Sequence, residues 1–258
     1  MSAGHLLSAF ITRAYWNLKL RKPAAGWRIL MYHSVGEAVP DDTRGFWNVP
    51  ALAFSDQMAF IRDQGNISPV ALSVGSGGCD QISLSLTFDD GYVSVLKNAA
   101  PVLCKIGLPF SVFVCPGLMD SADRFYMSRA QVLELAKMPG CEIGSHTVNH
   151  ARLAELDDAI LTAELQDSKS RLEDLLGMTV SSLAYPQGSA DSRVMLAAQK
   201  AGYTLAVCSR TGINLPGRNS MMLKRTDILG DDDFPMFRLK TLGGWDWHEY
   251  RYADPLKE

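Results

Sequence analysis

Two carboxylates and two histidines carry the most specific chemical signal in the sequence. Leu84-Ser85-Leu86-Thr87-Phe88 is an apolar run that ends in Asp89-Asp90-Gly91-Tyr92. Side chains alternate along a strand, so neighbouring aspartates share a site only where the strand ends and the chain bends, and Gly91 permits such a bend. Paired aspartates at the end of a buried strand repel unless a cation or a raised pKa relieves them, the plain alternative being a solvated Asp-Asp-Gly turn. Further on, Glu142-Ile143-Gly144-Ser145-His146-Thr147-Val148-Asn149-His150 places two of the five histidines four residues apart after another short strand-like run. On a helical turn that spacing sets both imidazoles on one face, a common way to hold a first-row divalent metal. One Asp and two His make an open ligand set with a position left for water, and the spare carboxylate can serve as a base.

These residues need a frame that brings strand ends together. From about residue 27 onward strand-like and helix-like segments alternate. Strands are expected at Arg28–His33, Ile82–Phe88, Pro109–Val114, Glu142–Ser145, Ser182–Tyr185, Thr204–Val207 and Met222–Thr226. Helices are expected at Phe54–Gln64, Val93–Ile106, Ser128–Lys137, Leu156–Leu176, Ser192–Ala201 and Phe234–Leu242, with Gly177 as a C-cap and Asp231-Asp232-Asp233 opening the last. Repeated β-then-α units imply a mainly parallel sheet with helices outside, open or closed into a barrel, and chemistry at the carboxyl ends of the strands.

Composition narrows the class. A chain of 258 residues, 47% hydrophobic and 21% charged, suits a single α/β barrel domain over 27–258. The net charge of −3 and the lack of a basic stripe exclude a nucleic-acid footprint. Five scattered cysteines (Cys79, Cys104, Cys115, Cys141, Cys208) with no C-x-x-C pair read as reduced thiols and point to the cytoplasm. Residues 1–26 form an N-terminal helical extension. Its Leu6–Leu20 stretch lacks the layout of a signal peptide and is too short and polar to span a bilayer. Leu7, Phe10, Ile11 and Ala14 share a helical face, which suits packing on the domain or, alternatively, peripheral contact with the inner face of a membrane.

Thr87-Phe88-Asp89-Asp90-Gly91-Tyr92 and Ser145-His146-Thr147-Val148-Asn149-His150 resemble, in order and separation, the first two motifs of the polysaccharide deacetylase (NodB-homology, carbohydrate esterase) family. The resemblance covers roughly residues 28–245. It implies a distorted (β/α) barrel of about seven parallel strands and hydrolysis of N-acetyl or O-acetyl groups on glycans. It assigns Asp89 as catalytic base and Asp90, His146 and His150 as metal ligands; zinc suits that set, with nickel and cobalt nearly as suitable. Leu183-Ala184-Tyr185-Pro186-Gln187-Gly188 is similar to the third motif in the form found among poly-N-acetylglucosamine deacetylases. Tyr185, Pro186 and Gln187 are therefore expected on the substrate and oxyanion side, with the Gln187 N–H as donor.

Two departures from the family pattern call for substitutes. Ala184 stands where an arginine would orient the base, and Arg225 in Leu223-Lys224-Arg225-Thr226-Asp227 is expected to take that role, an ordinary salt bridge being the alternative. No late apolar-x-His motif supplies the general acid. Resemblance to circularly permuted members points instead to Ile29-Leu30-Met31-Tyr32-His33, which makes His33 the acid. Trp245, Trp247, Tyr250 and Tyr252 either stack on sugar rings or pack inside. The expected activity is metal-dependent removal of acetyl groups, chiefly N-acetyl, from a glycan or lipid-linked oligosaccharide. An amidohydrolase for a cyclic ureide or imide, and a non-catalytic carbohydrate-binding relative, are the alternatives.

Overall fold

The computed structural model describes Thr12 and residues 25–39, 42–75, 81–121 and 123–251. Of the expected helix Leu6–Leu20 only Thr12 lies within the described residues, its Oγ1 accepting from Trp247 Nε1 at 3.0 Å. In chain order the elements are β1 (Gly26–Tyr32), β2 (Ser34–Val35), β3 (Asn48–Val49), α1 (Ala51–Asp63), β4 (Ile67–Pro69), β5 (Ile82–Phe88), α2 (Ala100–Ile106), β6 (Phe110–Val114), α3 (Pro116–Met119), α4 (Arg129–Ala136), β7 (Cys141–Ser145), α5 (Asp158–Leu176), β8 (Ser182–Ala184), α6 (Ser192–Lys200), β9 (Leu205–Val207), β10 (Thr226–Asp227) and α7 (Phe234–Leu242).

β1 and β5 are buried at every position, as strands covered on both faces should be. They sit in a parallel sheet of order β10-β1-β5-β6-β7-β8-β9, with β4 beside the first half of β5. The two edges of this sheet meet on one segment. Leu223 N–H donates to Ala206 O beside β9, while Ile228 N–H donates to Met31 O beside β1. The seven strands thus curl into the distorted barrel expected. The expected strand Met222–Thr226 is broken because one segment serves two edges: Leu223 bridges Val207, and only Thr226–Asp227 run as a strand along β1.

The helices form the outer layer. α5 starts on an Asp157 cap and ends on Gly177 at φ 67°, with Leu161, Leu165 and Leu172 turned inward. The expected helix Val93–Ile106 is instead a π turn (Val95–Ala99) followed by α2. Pro101 lacks the N–H that would carry the α ladder across this point. At the carboxyl end, Asp233 Oδ1 caps α7 by accepting from Met236 N–H at 2.8 Å, and Asp232 pairs with Lys240 at 2.6 Å. Asp246 takes the fully buried Arg28 through two bonds of 2.7 Å each. Trp245 stacks on His248 at 4.2 Å and Lys240 lies 5.1 Å over the same ring, so this aromatic cluster packs on its own neighbours. The Tyr250 side chain and Tyr252 lie outside the described residues.

Candidate active site

Strand register delivers the chemical residues to one rim of the barrel. Tyr32 pairs with Phe88 and Asp89 N–H donates to Tyr32 O at 2.9 Å, so His33 and Asp89 leave adjacent strands side by side. Val114 pairs with Ser145, and His146 N–H donates to Val114 O at 2.9 Å. On the other side of β1, Met31 pairs with Asp227, two residues after Arg225. His33, Asp89, His146 and Asp227 lie at carboxyl strand ends, where α/β sheets collect their chemistry, and Arg225 enters from just before β10.

The backbone here is strained. Among the described residues, the non-glycine positions with positive φ are Asp90 (69°), Thr147 (63°), His150 (56°) and Gln187 (54°). Each costs about 1 kcal/mol or more, and such positions cluster at functional sites. The bend expected at Gly91 begins one residue earlier, at Asp90, and continues through Gly91 at φ 73°. Both carboxylates thereby face one ring: His146 Nε2 is 3.9 Å from Asp89 Oδ2 and 3.4 Å from Asp90 Oδ1. The histidine pair is not on a helical turn, contrary to the spacing argument. Left-handed Thr147 and His150 fold the segment into a loop that sets the two rings 4.9 Å apart.

Asp89 is held rigidly. Arg225, fully buried, donates from Nη1 and Nη2 to Asp89 Oδ1 and Oδ2 at 2.6 and 2.7 Å. Its Nε donates to Cys208 O at 3.0 Å and its Nη1 to Thr87 Oγ1 at 3.2 Å. Burial pushes the Asp89 carboxyl up, but the attraction of Arg225 and then His146 outweighs it, and the group lies below the usual carboxylate range. Asp90 is also pushed up by burial and pulled lower overall by His146, His33 and His150. Burial alone would lower His146, yet the two carboxylates hold it above the ordinary histidine value. His150 is lowered by burial and by His146.

Asp90, His146 and His150 offer ligand atoms that all lie within 4.8 Å of one another. His150 Nε2, like His146 Nε2, is 3.4 Å from Asp90 Oδ1, but neither contact meets hydrogen-bond geometry, and this buried oxygen has no hydrogen-bond partner among the described residues. Buried carboxylate oxygens are rarely left so, and a cation is the partner these donors fit. His146 Nδ1 sits 2.8 Å from Ala184 O, which fixes the tautomer that turns the Nε2 lone pair toward Asp90.

Some expected residues are not brought to the rim. Tyr185 is fully buried, its hydroxyl donating to Met221 O at 2.9 Å and its N–H to Val207 O at 3.0 Å, so its side chain belongs to the core. Pro186 is buried beside it. Gln187 is at the rim, where its Oε1 accepts from Arg152 Nε at 2.6 Å. It lines a cavity of about 410 Å3 together with Ser209, Asp227 and Lys240.

Two acidic residues carry no motif yet support the site. Glu164, on α5, accepts from Val148 and Asn149 N–H at 2.8 and 3.0 Å and from Asn149 Nδ2 at 2.6 Å, which braces the loop between the histidines. Asp227 is pushed above the usual carboxylate range by burial, and His33 acts on it electrostatically. Its position two residues after Arg225, at a strand end, was the available signal.

The family profile of the polysaccharide deacetylases matches residues 77–206. The chain belongs to the polysaccharide deacetylase family. It is 28% identical over 200 residues to YxkH of Bacillus subtilis, a protein named for the same family, covering 76% of this chain and 68% of that one. It is 23% identical over 164 residues to the poly-β-1,6-N-acetyl-D-glucosamine N-deacetylase of Staphylococcus aureus, covering 59% of this chain and 56% of that one. In structure it is similar to the Streptococcus pyogenes deacetylase PplD, solved with acetate, at TM-score 0.74 and 26% identity over 86% of this chain and 99% of that one. As a family member, this chain is a deacetylase of the polysaccharide type.

Proposed function

We propose that this deacetylase removes N-acetyl groups from an N-acetylhexosamine oligosaccharide, with a divalent metal held by Asp90, His146 and His150. The observation that carries the reading is the pairing of a clamped, ionised Asp89 with the partnerless Asp90 Oδ1 beneath two imidazole nitrogens. The staphylococcal relative's named substrate supports the sugar class, and the acetate bound to PplD supports the product.

A divalent metal in this site supplies Lewis-acid polarisation of the acetyl carbonyl and a lowered pKa for water. Asp89, ionised at neutral pH, takes the proton from the attacking water. The Gln187 N–H is the donor assigned to the developing oxyanion. His33 gives a proton to the departing amine, so the products are acetate and a free amino sugar. Arg225 fixes the direction of the Asp89 lone pairs and keeps that carboxylate deprotonated.

Incubation with N-acetylglucosamine oligomers should release acetate and free amine in equal amounts. Chelation should lower the rate about 100-fold or more, and added zinc, nickel or cobalt should restore it. Turnover of cyclic ureides without acetate release from any oligomer would overturn the proposal. The brace on the histidine loop has its own expected effect. Glu164→Ala removes the acceptor of two backbone N–H groups in the histidine loop and should weaken metal affinity about 10–100-fold, read by competition with a chromogenic chelator.

A further inference from the structure

One large aromatic side chain stands in water beside the acid end of the site. Trp47 keeps 41% of its surface exposed, although its ring centroid is 5.8 Å from that of His33 with the planes 30° apart. It is not a loose side chain on a loose loop. Ser34 N–H, next to His33, donates to Trp47 O at 2.9 Å. Asp42 accepts from Phe46 N–H at 2.8 Å and from Trp47 N–H at 2.6 Å. Gly230 N–H donates to Phe46 O at 2.7 Å, and a Cβ on Gly230 would lie 2.3 Å from Asn48 O and 2.4 Å from Gly45 O. Only a glycine allows so close a docking of the 42–49 segment on the turn that follows β10.

A rigidly mounted, half-exposed indole loses hydrophobic stabilisation in the free protein. It gains a use when a ligand presents an apolar face, because a pre-ordered ring offers large contact area at little entropic cost. The ligand's position follows from the proposed role of His33. The amine that leaves is bonded directly to the sugar ring, so a proton delivered from His33 places that ring within a few ångströms of the imidazole, and hence against Trp47.

We propose that Trp47 is a stacking platform for the pyranose that carries the scissile acetamide, and that it sets the preference for amino-sugar oligomers over acetyl compounds without a sugar. This rests on the deacetylase reading above and on His33 as the proton donor. The test compares an N-acetylglucosamine tetramer with 4-nitrophenyl acetate, which has the acetyl carbonyl but no pyranose. Trp47→Ala should raise KM for the tetramer about tenfold, with kcat changed less than about threefold, and leave ester hydrolysis within about twofold of wild type. Trp47→Phe should recover most of the loss. Equal losses on tetramer and ester would mean that Trp47 acts on the chemistry both substrates share rather than on the sugar and would overturn the platform, as would a loss confined to kcat, the mark of an effect through His33, or an unchanged KM. Calorimetric binding of the tetramer to Asp89→Asn protein separates the platform from the chemistry. An about tenfold weaker Kd on adding Trp47→Ala supports the platform, and an equal Kd overturns it. Failure of wild type to release acetate overturns only the deacetylase reading.

Discussion

Asp89→Asn should hold metal as tightly as the wild-type protein and lose about 1,000-fold in turnover on N-acetylglucosamine oligomers. The substitution is isosteric and removes one property, the ability to take a proton. The three residues proposed as ligands keep their atoms, since Asp89 Oδ2 is 3.9 Å from His146 Nε2, farther than Asp90 Oδ1 at 3.4 Å. Asp89 is held below the ordinary carboxylate range, so it is an intrinsically weak base. Its contribution must therefore come from position: the two bonds from Arg225 fix both oxygens and spare the reaction the entropy of orienting the base. Asp90→Asn should behave oppositely, losing metal first and activity as a consequence. Metal stoichiometry and kcat measured on the same samples separate the two, and an Asp89→Asn enzyme within about tenfold of wild type would refute the assignment of the base.

What could be read from the sequence divides along a physical line. Strand ends were legible because a strand covered on both faces needs an unbroken apolar run, and a charged residue ends it, as Asp89 ends Ile82–Phe88. The closeness of Asp90 to His146 and His150 was legible only as a chemical expectation. What produces it is a set of left-handed backbone angles at Asp90, Thr147 and His150. Asp and His adopt them more often than most types but only in a minority of cases, and β-branched Thr147 disfavours them, so residue type alone does not locate the bends. Glu164 was invisible because its role is to satisfy backbone N–H groups sixteen and fifteen residues away, and nothing in a carboxylate's spacing along α5 reveals such partners. Tyr185 misled for a related reason: a residue next to a functional segment turns to alternate faces of its strand, and this one turns inward to Met221 O. The aromatic residues near the carboxyl terminus were drawn toward sugar binding by type alone, yet Trp245 is occupied by His248 and Lys240. Among the described residues Trp47, with no motif around it, is the large aromatic side chain left exposed beside His33.

Arg225→Met should destabilise the fold by about 3–5 kcal/mol, and combining it with Asp89→Asn should cost much less than the sum of the two single changes. Arg225 is fully buried and Asp89 is 3% accessible, so each is the other's principal compensation for lost hydration. Removing the guanidinium leaves a buried carboxylate whose desolvation, the largest influence on its pKa, is no longer outweighed. Removing the charge on Asp89 strands the guanidinium in the same way, with only Cys208 O, Thr87 Oγ1 and one amide oxygen to receive it. The double variant has neither stranded charge, which is why the energies should not add. Urea midpoints at constant m measure all four corners of the cycle. The pH dependence has a definite sign. In the wild-type protein the lowered Asp89 pKa contributes stability that is present above the unfolded value of about 4 and is lost as pH falls through the folded one. In Arg225→Met the burial of Asp89 is opposed only by His146 and His33, so its folded pKa should rise and the penalty should be largest at neutral pH and shrink as acid protonates the buried carboxyl. The gap between wild type and Arg225→Met should therefore narrow from pH 7 toward pH 4. A gap that stays constant over that range would mean that Arg225 stabilises the barrel by packing against Phe113, whose ring lies 5.7 Å from the guanidinium carbon, rather than by answering the charge of Asp89.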